Sequence, residues 1–156
     1  MTRLSAGDPI LRPATPGDLE TVVALKAVTL RADLDRLVGW DPERSRARVV
    51  AHFSPGNTRM ILIGQETVGT VTLRPDGGDL WLEMFYLDPA HQGRGIGSAV
   101  LRTLCAEAPM TRLRLQVLVG SAAQRLYARH GFVVDEDDGI DVWMHRDPAV
   151  AGVGAG

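Results

Sequence analysis

Asp88-Pro89-Ala90-His91-Gln92-Gly93-Arg94-Gly95-Ile96-Gly97-Ser98 lies between an apolar run and a helical pattern, and its reading decides the fold. Ahead of it comes Leu80-Trp81-Leu82-Glu83-Met84-Phe85-Tyr86-Leu87, strand-like and apolar almost throughout. Behind it Ile96, Val100, Leu104 and Ala108 recur at helical spacing. A strand, a glycine-rich turn and a helix start together aim backbone N–H groups at an anion. The first turn of a helix has unpaired donors and a partial positive charge, and glycines let main chain approach a phosphate with no Cβ in the way. Arg94 adds a mobile cation. The segment therefore predicts a diphosphate cradle, set against the plainer reading of a glycine-rich turn with no ligand.

Spacing separates the kinds of phosphate loop. No Gly-Lys-Ser/Thr occurs, which excludes a nucleotide triphosphatase loop. A dinucleotide fingerprint needs Gly-x-Gly-x-x-Gly, and Ser98 stands where the third glycine belongs. Gln92, Gly95 and Gly97 fit Gln/Arg-x-x-Gly-x-Gly/Ala instead.

The 156 residues are expected to form a single domain, with a core over about 10–146 and a frayed Ala/Gly-rich tail over 148–156. A hydrophobic fraction of 45% with 23% charged residues is ordinary for a globular protein. The net charge of −2 gives no global basic field for nucleic acid, and Lys26 is the lone lysine. Cys105 can form no internal disulfide, no apolar run is long enough to cross a membrane, and no leader pattern is seen, so a cytoplasmic location is expected. His52, His91, His130 and His145 lack metal-ligand spacing, so no metal is expected.

In chain order, Ile10–Ala14 reads as a first strand and Thr15-Pro16-Gly17-Asp18 as a helix start, followed by an apolar stripe of Val23, Ala27, Leu30, Leu34 and Leu37. Gly39 ends or bends that helix, and Asp41-Pro42 starts a second whose Arg44, Arg46 and Arg48 read as a solvated face rather than a site for an anionic substrate. Met60–Ile63 and Val68–Leu73 form a hairpin, and Asp79–Leu87 completes a meander. Beyond the cradle helix, Leu113, Leu115, Val117 and Val119 alternate as a strand. Ser121 and Gln124 make a capping box for a short helix, and Phe132–Val134 and Ile140–Met144 pair around the acidic turn 135–139. The fold class is α/β (α+β), with a mixed, largely antiparallel sheet.

Two signatures carry a resemblance. One is Leu87-Asp88-Pro89 through Gly97. The other is Ala123-Gln124-Arg125-Leu126-Tyr127-Ala128-Arg129-His130-Gly131-Phe132, which is similar to Ala-x-x-Leu-Tyr-x-x-x-Gly-Phe. With that spacing and element order the chain resembles the GNAT acetyltransferase superfamily from about Ile10 to Met144. The resemblance implies about seven strands and about four helices, with the strands of Phe85 and Val117 splayed apart. It implies acetyl-CoA as cosubstrate, with the edge at Phe85, Tyr86 and Leu87 pairing with pantetheine amides. Gln92, Gly93, Arg94, Gly95, Ile96, Gly97 and Ser98 would hold the pyrophosphate. Ala123 lies in the second signature, and Gly120 stands where the family often has asparagine, so a backbone or water contact would substitute there.

The activity implied is N-acetyl transfer to a primary amine by direct attack in a ternary complex. Tyr127 aligns with the family tyrosine that protonates the leaving thiolate. Glu83 is the candidate base: strand alternation puts it on the face of Trp81, Phe85 and Leu87, where desolvation would make it a better proton acceptor. The alternative is a non-catalytic acyl-CoA-binding sensor, and a nicotinamide-dependent oxidoreductase is disfavoured by Ser98. Antibiotic, polyamine, amino-acid and protein N-terminal amines all stay open as acceptors. A homodimer through the end strands is implied by the resemblance alone.

Overall fold

The computed structural model describes residues 7–149. The chain begins with β1 (Pro9–Pro13), α1 (Leu19–Leu37) and α2 (Pro42–His52), then forms a meander of β2 (Thr58–Ile63), β3 (Glu66–Asp76) and β4 (Asp79–Leu87). It continues through α3 (Ile96–Glu107), β5 (Leu113–Leu118), α4 (Ala122–Arg129), β6 (Val133–Asp137) and β7 (Asp141–Arg146). The strands make one 7-stranded sheet in the order β1-β2-β3-β4-β5-β7-β6. Among the described residues only β4 and β5, joined by α3, run parallel. This is the mixed, largely antiparallel architecture with four helices that the sequence predicts.

Helix starts follow their capping residues. The Thr15 amide donates to Asp18 Oδ2 at 2.8 Å ahead of a short 3-10 turn, Pro16–Asp18, that leads into α1. Asp41 Oδ1 accepts from the Arg44 amide at 3.1 Å and caps α2, while Gly39 takes the left-handed φ of +91° that lets the chain leave α1. The stripe expected on α1 is rotated. Val22, Leu25 and Lys26 are its buried residues, and Val22 and Leu25 pack with Val49 and Met60. Lys26 tolerates this position because its Nζ donates to Ser45 O at 3.1 Å. Burial, and then the nearby Arg48, hold its ammonium below the usual lysine range.

Several element ends differ from expectation: β3, expected over Val68–Leu73, spans Glu66–Asp76, and β7 is shifted to Asp141–Arg146. β6 runs on through Asp137, so the acidic segment is mostly strand and the turn falls at 138–140. At the far end the Ala149 amide donates to Pro109 O at 2.7 Å, which ties down the first part of the expected frayed tail. Residues 150–156 of that tail lie outside the described residues.

A core built on both sides of the sheet fixes the position of β4. Leu82 packs with α3 residues Val100, Leu101 and Leu104 on one side, whereas Met84 and Tyr86 pack on the α1–α2 side. Regular alternation would keep residues 82, 84 and 86 on one face. A bulge breaks it: Thr70 pairs with Tyr86 but Thr72 pairs with Glu83, and Met84 has a φ of +47°. Beyond the bulge β4 leaves β5. Their pairing ends at Leu82 opposite Leu115, and β5 continues against β7 alone as far as Leu118.

Gly69 makes the close approach of β3 to this bulged strand possible. A Cβ there would sit 2.5 Å from Tyr86 O, a backbone atom that cannot swing aside. Gly69→Ala is therefore expected to lose about 1–3 kcal/mol of stability, read as a lower urea midpoint at unchanged slope. An unchanged midpoint would show that the approach is looser than this spacing requires.

Candidate active site

The turn after β4 is built to leave amides unpaired. The Asp88 amide donates to Val68 O at 2.8 Å and its Oδ1 accepts from Ala90 N at 2.9 Å, closing the strand on a 3-10 turn, Pro89–His91. Gly93 and Gly95 then adopt φ of +76° and +81°. A Cβ at either would meet nothing within 4 Å, so the left-handed dihedral alone calls for glycine, and the surface above both is open. The first α3 amide to find an acceptor is that of Ala99, on Gly95 O at 3.0 Å. Among the described residues, the amides from Gly93 through Ser98 have no partner. They form a run of free donors at the positive end of α3, with the exposed Arg94 among them.

The other residues of the motif serve the frame. Gln92 Nε2 donates to Leu87 O at 2.8 Å, bracing the turn against the end of β4. Ile96 is buried and anchors the start of α3. Gly97 keeps ordinary helical dihedrals, and a Cβ there would lie 3.1 Å from Leu126 Cδ2, so its glycine brings α3 close to α4. Ser98 Oγ meets His130 Nε2 at 3.0 Å.

From this turn the open edge of β4 leads to Tyr127. The Asp88 amide faces β3, so alternation turns the Leu87 carbonyl to the other edge, where the side chains of Gln92 and Thr29 hold it at 2.8 and 3.3 Å. Pairing at that carbonyl is thus already taken, and an incoming strand-like ligand must use the other edge groups or displace Gln92. Tyr127 is 5% exposed, its ring 6.3 Å from that of Phe85 and 5.5 Å from that of Phe132, centroid to centroid. Burial holds its phenol well above the usual tyrosine range, and the Tyr86 phenol adds to this. Tyr86 is raised likewise, first by burial and then by Glu83.

Glu83 is not on the face expected of it. It shares with Trp81 the side of the sheet where Arg74 lies, and the bulge at Met84 sends Phe85 and Leu87 to the α3 side. Its carboxylate is ion-paired with Arg74 Nε, and its side chain is one-third exposed (33%), so the desolvation expected from the sequence is not found. Around it a small cavity of about 40 Å3 is lined by His52, Ser54, Thr72, Arg74 and Met84.

Residues 56–134 match the family model described as acetyltransferase (GNAT) domain. The chain belongs to the GNAT acetyltransferase family. No curated protein matches it. Among solved structures, it is similar to an acetyltransferase from Thermus thermophilus at 22% identity, covering 92% of this chain and 99% of that one with a TM-score of 0.71. It is similar to a PaiA N-acetyltransferase from Thermoplasma acidophilum, solved in complex with coenzyme A, at 17% identity over 90% and 99% of the two chains, with a TM-score of 0.71. A third likeness is to an N-acetyltransferase from Staphylococcus aureus, at 13% identity over 87% and 98% with a TM-score of 0.66. Family membership supports acetyl transfer with an acyl-CoA donor.

In this GNAT acetyltransferase the backbone of Gly120 is hydrogen-bonded to side chains of α4. The Gly120 amide donates to Gln124 Oε1 at 2.7 Å, and its carbonyl accepts from Arg125 at 3.0 Å. Arg36, reaching over from α1, donates to Val119 O at 2.6 Å and lies 3.7 Å from where a Gly120 Cβ would be. The Ser121 cap on Gln124 N, at 3.1 Å, is as expected. Ala123 packs at the edge of the main core, on the first turn of α4. Arg36, Arg74 and His130 were not among the expected site residues; each has a hydrogen-bond partner in another segment of the chain, Val119 O, Glu83 and Ser98.

Proposed function

We propose that the protein transfers an acetyl group from acetyl-CoA to a primary amine by direct attack in a ternary complex. The observation that carries this is the run of unpartnered amides from Gly93 to Ser98 beside the parted strands, in a chain of the acetyltransferase family. Unsatisfied donors at a helix start fit a diphosphate and gain little from an uncharged ligand. The open stretch of β4 past Leu82 gives an extended thioester arm an edge to lie against, and that edge leads toward Tyr127.

In this reading the amine nitrogen attacks the thioester carbonyl carbon. A C–N bond forms, the C–S bond breaks, and Tyr127 gives its proton to the departing sulfur before recovering one from solvent. A phenol held above its usual range stays protonated at working pH, as a donor must. The proton lost by the amine goes to Glu83, directly or through water. Arg74 orients that carboxylate, and the cavity with His52 and Ser54 is the side from which the amine enters.

Thiol release from acetyl-CoA, followed across a panel of small-molecule and peptide amines, tests the proposal. Amine-dependent release supports it. Tight coenzyme binding with no release on any amine would favour a non-catalytic sensor. Glu83→Gln is expected to lower kcat/KM at least tenfold. The fold should survive, because a partly exposed ion pair of this kind contributes only about 0–1 kcal/mol. Wild-type rates in that variant would reduce Glu83 to a partner of Arg74.

A further inference from the structure

Along the flank of α3, away from the Glu83 side of the sheet, lies a cavity of about 330 Å3 lined by Arg102, Cys105, Pro109, His130, Arg146 and Ala149. Its charge is one-sided. Burial first, and then Arg102, Arg129 and Arg146, hold the His130 imidazole below the usual histidine range. Arg12, Arg46, Arg59 and Arg74 are each held by a carboxylate elsewhere in the molecule. Among the described residues, none of the three arginines around His130 has such a partner. Arg146 is held in place through its Nε, which donates to His130 O at 3.0 Å, leaving its terminal nitrogens available to the cavity.

This cationic wall begins where the cradle ends. Ser98, whose amide is one of the unpaired donors, meets His130 Nε2 through its hydroxyl at 3.0 Å. Arg102 follows Ser98 by one helical turn on the same face of α3. A coenzyme A thioester carries two separate anionic groups, a diphosphate and a phosphate monoester on the ribose 3′ oxygen. The turn offers amides for the first, and the wall offers guanidinium groups for a compact dianion next to it.

We propose that Arg102, His130 and Arg146 form a phosphate-monoester site that holds the ribose 3′-phosphate of the coenzyme while the start of α3 holds its diphosphate. The proposal rests on the acetyl-CoA reading above and adds a means of selecting the complete coenzyme over its dephosphorylated form.

Calorimetric titration of the full chain at low ionic strength, with acetyl-CoA and with 3′-dephospho-acetyl-CoA, tests it. Wild type is expected to bind the dephospho form roughly ten- to a hundredfold more weakly. Arg102→Gln, an exposed position, is expected to cut that ratio to within a few-fold of one while leaving affinity for the dephospho form unchanged. Equal binding of both forms by wild type overturns the proposal and leaves the acetyl-CoA reading standing. Failure to bind either form removes the reading beneath it as well. A third arm adds millimolar inorganic phosphate: loss of the wild-type preference by competition supports a shared site. Phosphate uptake with no effect on the preference means that the cavity holds free anion instead, which also overturns the proposal.

Discussion

Tyr127→Phe is expected to lower kcat by about a hundredfold with little change in the KM for acetyl-CoA, measured by thiol release at saturating amine. The variant loses only a hydroxyl. Its ring keeps the contacts with Phe85 and Phe132, so urea melts should agree with wild type to within about 1 kcal/mol. The pH profile gives an independent check. The Tyr127 phenol is held above its usual value by burial and then by Tyr86. The neutral form is therefore retained beyond the ordinary tyrosine value of about 10. For a group raised in this way the stabilising, proton-donating form is fully present below the unfolded value and is lost only as pH rises through the folded one. The alkaline side of the wild-type kcat profile should accordingly stay flat to about pH 10. A descending limb near neutrality that Tyr127→Phe abolishes would mean that the donor titrates early, and wild-type turnover in the variant would remove Tyr127 from the chemistry.

The second large effect is expected at Gly95. Its φ of +81° suits asparagine and aspartate better than other side chains, and a Cβ there meets nothing within 4 Å. Gly95→Asn and Gly95→Asp should therefore both fold, and the aspartate, as the residue capping α3, should do so at least as well. Binding separates them. A carboxylate about 5 Å from a diphosphate charge costs on the order of 3 kcal/mol at an effective dielectric of about 20, or roughly a hundredfold in Kd. The asparagine variant should lose only a few-fold. Equal affinities for the two would show that the diphosphate is held elsewhere.

The cradle was legible because its determinants are local. Gly93 and Gly95 mark left-handed turns, and Ile96, Val100 and Leu104 mark the helix they open into. The caps at Asp41 and Ser121 were legible for the same reason. What escaped was set by contacts between distant segments. Nothing about a methionine announces a φ of +47°, so the bulge at Met84 was invisible, and Glu83 was assigned to the face of Phe85 and Leu87. Lys26 stands outside the expected stripe of α1 because the hydrogen bond to Ser45 that lets it be buried joins two helices, so the buried residues lie one step round from that stripe. Gly97 suggested phosphate approach, and only the packed position of Leu126 gives its other reason. No spacing along the chain marks His130, because Ser98 and the three arginines around it are contributed by α3, α4 and β7.

The left-handed residue in β4 acts as a half-step in the screw of the strand: residues ahead of Met84 and residues behind it obey opposite parity. Descendants of this chain can therefore lengthen or shorten that strand only by two residues at a time. A change of one would swap the sides taken by Phe85 and Tyr86, and with them the packing of both faces of the sheet beside the parted strands.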